Sequence, residues 1–162
     1  LVKFEIYSDS GFWCGRGIGV DIFTEGRTLD ELMDHIREAV ELHFEEELAR
    51  GESIRILTIS ECEVDPRVGL PVVKGKDLLK VLSRLGYQVV RQRGSHVRLK
   101  CPTPTGEHAI TIPLHDEIAP GTLNDILSKV SLWKSIPKED LIRMFNNHPQ
   151  PFFHSPSQHS GM

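Results

Sequence analysis

The spacing of apolar residues changes period at Thr28, and this change limits the first third of the chain to strands followed by an amphipathic helix. Upstream, Val2, Phe4 and Ile6 alternate with Lys3, Glu5 and Tyr7, the two-residue period of a half-buried strand. Asp9, Ser10 and Gly11 supply turn chemistry; a second strand is expected over residues 12–19 and a third over 20–24, closed by Glu25 and Gly26. Downstream, Leu29, Leu32, Met33, Ile36, Val40, Phe44 and Leu48 recur at helical spacing. Thr28, with Glu31 three residues on, forms a capping box. Asp30, Asp34, Glu38, Glu41 and Glu45 make the other side of this one long helix acidic, and Arg50 and Gly51 end it. A last strand over residues 54–64 completes the order βββαβ.

Pro66, Gly69 and Pro71 mark residues 65–73 as a linker between a first unit, residues 1–64, and a second, residues 74–147. The second unit opens with a helix over residues 75–85. Leu78, Val81, Leu82 and Leu85 form its buried face, Lys76, Lys80 and Arg84 lie opposite, and Gly86 stops it. Strands are expected over residues 87–93, 96–101 and 108–112, the first two joined at Gly94 and Ser95. A helix follows Pro120, with Leu123, Ile126, Leu127 and Val130 as its core stripe and Thr122 and Asp125 as a capping pair. Pro137 opens a short final helix over residues 138–146. The fold class is α+β, with αβββα plus an extra helix in the second unit. Residues 148–162, rich in Pro, Ser and His, are expected to be disordered.

Charge separates the same two units. Residues 1–70 hold 7 Lys/Arg against 16 Asp/Glu, a net of −9, and residues 71–162 hold 12 against 7, a net of +5. A basic module suited to nucleic acid is thus joined to an acidic one able to compete for it. No apolar run approaches the ~18 residues of a membrane span, and no basic-then-apolar leader opens the sequence, so a cytoplasmic protein is expected. Cys14, Cys62 and Cys101 form no CxxC pair and fit buried positions in a reducing compartment.

The residues that carry chemistry run from Arg91 to Lys100. Alternation places His96, Arg98 and Lys100 on one strand face and Val97 and Leu99 on the other, with Arg91 and Arg93 arriving from the neighbouring strand. A histidine among four cations, directly after a tight turn at Ser95, suits a phosphate-rich substrate. RNA brings its own nucleophile, the 2′-hydroxyl. A ribonuclease therefore needs a base near neutral pH, which an imidazole with a pKa of ~6.5 provides, and cations for the charge on phosphorus. Neighbouring cations would disfavour the protonated ring and keep it a base. Cleavage would leave a 2′,3′-cyclic phosphate and a 5′-hydroxyl.

The second unit resembles the HicA family of small toxins. The carriers are the helix Gly75, Lys76, Asp77, Leu78, Leu79, Lys80, Val81, Leu82, followed by Leu85, Gly86 and Tyr87. Next come Arg91, Gln92, Arg93, Gly94, Ser95 and His96, the most specific element, then Thr111 to His115 and Ile118 to Leu123. The resemblance implies a ribosome-independent mRNA endoribonuclease on a double-stranded-RNA-binding-domain-like fold, with His96 catalytic and no cofactor or metal. Lys76, Arg91, Arg93, Ser95, Arg98, Lys100 and His115 are the expected RNA-binding residues; His115 could instead protonate the leaving oxygen.

The first unit resembles HicB, on Ser10 to Trp13, Thr24 to Leu32 and Ile36 to Ala39. This implies a partial RNase H-like domain that binds HicA and masks its active site, within one chain or between two chains of an oligomer. HicB chains usually end in a DNA-binding segment; here the linker and the HicA-like unit follow, which gives no support for operator binding. Gly15, Gly17 and Gly19 precede a strand rather than a helix, so they do not form a phosphate loop. Asp9 and Glu38 are the carboxylates that a metal-dependent nuclease would pair, a role the family lacks. His35 and His43 are expected at the helix surface or its boundary. A non-cleaving RNA-binding protein and an inert scaffold remain the competing readings, and His96→Ala separates the first of these from an enzyme.

Overall fold

The computed structural model describes residues 1–60 and 72–146. These form two β-sheets and five helices, a mixed α+β arrangement. Most of the expected linker, Cys62 and the whole of the C-terminal tail lie outside the described residues.

In the first unit, β1 (Val2–Asp9) and β2 (Phe12–Ile18) form a hairpin with Asp9 opposite Phe12. Its two-residue loop, Ser10 and Gly11, has φ of 50° and 82°, the positive pair that a right-twisted hairpin favours. Gly15 and Gly17 lie inside β2, as a strand rather than a phosphate loop. β3 (Phe23–Gly26) adds antiparallel to β2. α1 (Leu29–His43) and α2 (Glu45–Ala49) then cross back so that β4 (Ile56–Ser60) joins β1 in parallel, giving the order β3-β2-β1-β4. Thr28 caps α1 by accepting the Glu31 N–H at 3.1 Å, while the Glu31 carboxylate returns to the Arg27 N–H. Leu32, Ile36, Ala39 and Val40 pack on Val2, Phe4, Ile6 and Ile22.

The expected single long helix is instead two. Phe44 leaves helical geometry at φ −107° and ψ 29°, its ring edge against His43, whose Nδ1 reaches Thr111 Oγ1 at 2.8 Å. The break puts Glu45, Glu46 and Glu47 in the first turn of α2, where the helix dipole favours negative charge.

The second unit runs α3 (Gly75–Arg84), β5 (Gln88–Arg93), β6 (His96–Thr103), β7 (Gly106–Pro113), α4 (Pro120–Lys134) and α5 (Lys138–Asn146). The strands form an antiparallel meander in that order. Leu78 and Leu82 of α3, Leu123, Ile126, Leu127 and Val130 of α4, and Leu141 of α5 cover one sheet face, meeting Val97, Leu99, Cys101, Ile110 and Ile112. Each such Leu or Ile contributes about 1.5–3 kcal/mol by leaving water. The expected Thr122–Asp125 capping pair does not form: α4 has no side-chain cap of its own. Asp125 instead accepts from Tyr7 and Arg16 of the first unit.

The opposite sheet face meets α1, which therefore lies between the two sheets. Other contacts join the units. Phe23 is buried in the second unit's core, and Ile22 bridges to Thr111, whose N–H donates to the Asp21 carbonyl at 3.0 Å. Phe12 and Cys14, with Tyr7 beside them, pack on Ala119. His108 is held between Tyr87 and Asp21, each at 2.7 Å, and stacks on Trp133.

Candidate active site

His96 is the first residue of β6, directly after the turn at Gly94 and Ser95, and sits opposite Arg93 and Pro113. Alternation sends Val97, Leu99 and Cys101 into the core and His96, Arg98 and Lys100 to the other face. His96 is nevertheless fully buried, because α1 and β3 cover it. Its Nδ1 lies 2.8 Å from Glu38 Oε1 and its Nε2 2.7 Å from Thr24 Oγ1. The Ser95 N–H and hydroxyl donate to the same Glu38 oxygen at 2.9 and 3.2 Å. A neutral ring satisfies this geometry, donating from Nδ1 to Glu38 and accepting from Thr24 at Nε2. Burial pushes His96 down to about 4, against the upward pull of Glu38, and the His115 and His35 rings push it further down. Burial would raise Glu38, but the hydrogen bonds from His96 and Ser95 outweigh it and hold the carboxyl below its usual value.

Two more imidazoles approach His96. His115, just beyond β7, has its ring centroid 6.1 Å from that of His96, and His35 of α1 lies 5.8 Å from His96 and 4.9 Å from His115. His35 Nδ1 lies 2.6 Å from the Glu25 carbonyl and can donate to it. The Glu25 carboxylate is buried: Oε1 accepts the Ala119 N–H at 2.7 Å, and Oε2, without a hydrogen bond, lies 3.7 Å from His115 Nδ1. A cleft of about 570 Å³ opens here, lined by Phe12, Arg27, His35, Ser95 and His115 among others. Among the described residues no three His, Cys, Asp or Glu side chains converge as metal ligands.

Two of the cations, Arg91 and Arg93, meet acidic partners from the other unit. Arg93 lies 3.2 Å from Glu41, and Arg91 2.7 Å from Glu45. Glu38, Glu41 and Glu45 thus form one stripe of glutamates running from α1 into α2 above His96 and its two flanking arginines.

Residues 75–132 match the family model of the HicA toxin of bacterial toxin-antitoxin systems. The αβββα order of these matched residues fits a double-stranded-RNA-binding-domain-like fold. Residues 1–60 lie outside the match, and no curated protein and no solved structure matches the chain.

Within the matched residues, His96, Ser95, Arg93, Arg91 and Arg98 stand together, Arg98 pairing in register with Arg91 and Thr111. Arg98 is half-buried, its Nε enclosed without a hydrogen bond. Lys100 lies further along β6 and pairs with Glu107 at 3.3 Å. Lys76 is exposed on the first turn of α3, next to Gly75, whose N–H donates to the His115 carbonyl. The low pKa of His96 comes first from burial, not from the neighbouring cations that the sequence suggested. His35 and His43 lie half-buried at the boundary of the helix, against the second unit; burial lowers His43 to about 4, and Arg98 adds to that. Asp9 and Glu38 do not pair: Asp9 accepts the Gly121 N–H at 2.7 Å, while Glu38 goes to His96. Sequence reasoning missed Glu38, Glu25 and Thr24 as partners of the histidines. The 38, 41, 45 spacing of glutamates, one helical stripe facing a basic segment, was the available signal.

Proposed function

We propose that residues 74–146 are an endoribonuclease acting on single-stranded RNA through His96, and that residues 1–60 are its HicB-like antitoxin on a partial RNase H-like domain. The observation that carries this reading is the glutamate stripe: Glu38 on a fully buried His96, Glu41 on Arg93 and Glu45 on Arg91. Carboxylates there occupy positions suited to RNA phosphates and keep solvent and substrate from the imidazole. These contacts are made within one chain, so the cover needs no second copy.

When the cover lifts, His96 regains an ordinary imidazole pKa and takes the 2′-hydroxyl proton. The 2′-oxygen attacks phosphorus, and Arg91, Arg93 and Arg98 stabilise the charge that develops. Lys76 and Lys100 extend the cationic surface along the RNA, and Ser95, freed of Glu38, can donate to phosphate. The test uses the full chain with Glu38→Lys, Glu41→Lys and Glu45→Lys, which repels the arginines. It is expected to cut single-stranded RNA to ends carrying a 2′,3′-cyclic phosphate, and to lose that activity on adding His96→Ala. An opened chain that binds RNA without cutting it would make this an RNA-binding protein instead.

A further inference from the structure

We propose that His115 is a second catalytic residue, the acid that protonates the leaving 5′-oxygen as His96 removes the 2′-hydroxyl proton. This rests on the ribonuclease reading above and gives His96 a partner. In the transfer the O2′–H bond breaks and its proton goes to His96. The O2′–P bond forms, the P–O5′ bond breaks, and the proton of His115 passes to O5′. Both histidines return to their starting states by proton exchange with solvent.

The backbone positions of the two histidines are set within residues 75–132, whatever the first unit does to their rings. His96 pairs with Pro113 across the β6–β7 ladder, and the Leu114 N–H donates to the Ser95 carbonyl at 2.6 Å. The His115 carbonyl accepts the Gly75 N–H at 2.8 Å, an approach so close that a Cβ on Gly75 would lie 2.7 Å from that oxygen. These backbone bonds all lie within the second unit, so the two residues are neighbours through its own ladder, with ring centroids 6.1 Å apart in the closed chain. In-line displacement needs one proton taken and one given on opposite sides of a single phosphorus, and two imidazoles about one phosphate apart can do both.

His115 also has the atoms to spare. Its Nε2 is buried without a hydrogen bond, and its Nδ1 faces a Glu25 oxygen that has none either, at 3.7 Å. The first unit therefore sets one carboxylate on each histidine, Glu38 on His96 and Glu25 on His115. His35, the third imidazole, leaves with α1 on opening, which leaves His115 beside His96.

The experiment uses the full chain with the three Glu→Lys changes and an RNA whose mapped cleavage site carries either the natural 5′-oxygen or a bridging 5′-sulfur. Sulfur leaves as a thiolate and needs no proton. His115→Ala, with the near-isosteric His115→Gln beside it, is expected to slow cleavage of the oxygen substrate on the order of 10²–10⁴-fold. The same variants should cut the sulfur substrate within severalfold of their parent, whereas His96→Ala should be slow on both. The alkaline limb of the parent's kcat/KM profile should also vanish with sulfur, a readout that needs no variant to fold. Equal slowing on both substrates, or a rise in KM alone, would make His115 a binding residue and overturn the proposal. A parent that cuts neither RNA would overturn the ribonuclease reading itself.

Discussion

Both ring nitrogens of His96 are engaged by the first unit, at Glu38 and at Thr24, so the imidazole cannot reach a 2′-hydroxyl while these contacts stand. Glu38→Ala removes the acceptor for His96 Nδ1 and for both Ser95 donors. It should weaken closure by about 1.5–3 kcal/mol, read as faster hydrogen exchange of the Ser95 amide. Closure should also depend on pH. His96 and His43 both stand near 4 in the closed chain and return towards 6.5 when exposed. A histidine with a depressed pKa favours the neutral, closed form, so closure is complete above about pH 6.5 and weakens as pH falls towards 4. For His96 the loss reaches about 3 kcal/mol at the lower limit. Glu38, held below its ordinary 4.5, adds to the loss as it protonates at still lower pH. Amide exchange of the Ser95 N–H between pH 7.5 and 4.5 reads the effect, and closure unchanged over that range would contradict it. The place of His96 was legible from alternation and the turn before it. Its buried, neutral state was not, because the groups that bury it lie 58 and 72 residues earlier in the chain.

Among the elements, α1 is amphipathic as its spacing indicates: Leu32, Ile36 and Val40 of the expected stripe pack inward beside Ala39, whereas Leu29 and Met33 stay exposed. The outward face was expected either to stay in water or to cover the basic strands. It lies on β5 and β6, against Arg91, Arg93 and His96, though which glutamate meets which group was not foreseen. The start of α4 shows why such detail is hidden. Its N-terminal N–H groups are capped at Ala119 by Glu25 and at Gly121 by Asp9, carboxylates from strands 94 and 112 residues away. A local search for a cap could find only Thr122 and Asp125. Asp9→Ala should therefore destabilise the chain by about 1 kcal/mol in urea unfolding, as loss of an ordinary N-cap does. Gly121→Ala is a sharper wedge. Alanine suits the helix, yet its Cβ would fall 2.8 Å from the Tyr7 ring and 3.0 Å from Asp9 Oδ2. The variant should leave α4 intact and raise RNA cleavage; an unchanged rate would show that Tyr7 and Asp9 yield without opening the cover.

For the whole molecule, periodicity indicated the strands and helices in their order, with one helix where α1 and α2 stand, but not how the two sheets meet. Phe23 illustrates the gap. It lies on β3 of the first sheet, yet its ring completes the core of the second unit. Patterning says which side chains are apolar, not which surface receives them. Phe23→Ala should cost about 3–5 kcal/mol and should loosen both units together, seen as a lower urea midpoint with greater RNA cleavage below it. The units are stitched by this ring, by the Asp21–Thr111 backbone bond and by the glutamate stripe, so closure is a property of the entire fold. The most direct test is the initial rate at which the full chain cuts an end-labelled single-stranded RNA, unmodified and with Glu38→Lys, Glu41→Lys and Glu45→Lys together. The expected result is near-silence for the unmodified chain and a rate on the order of 10–100-fold higher or more for the triple variant, the equivalent of about 1.5–3 kcal/mol of lost closure. Equal rates for the two chains, whether both fast or both absent, would contradict a ribonuclease masked by its own first unit.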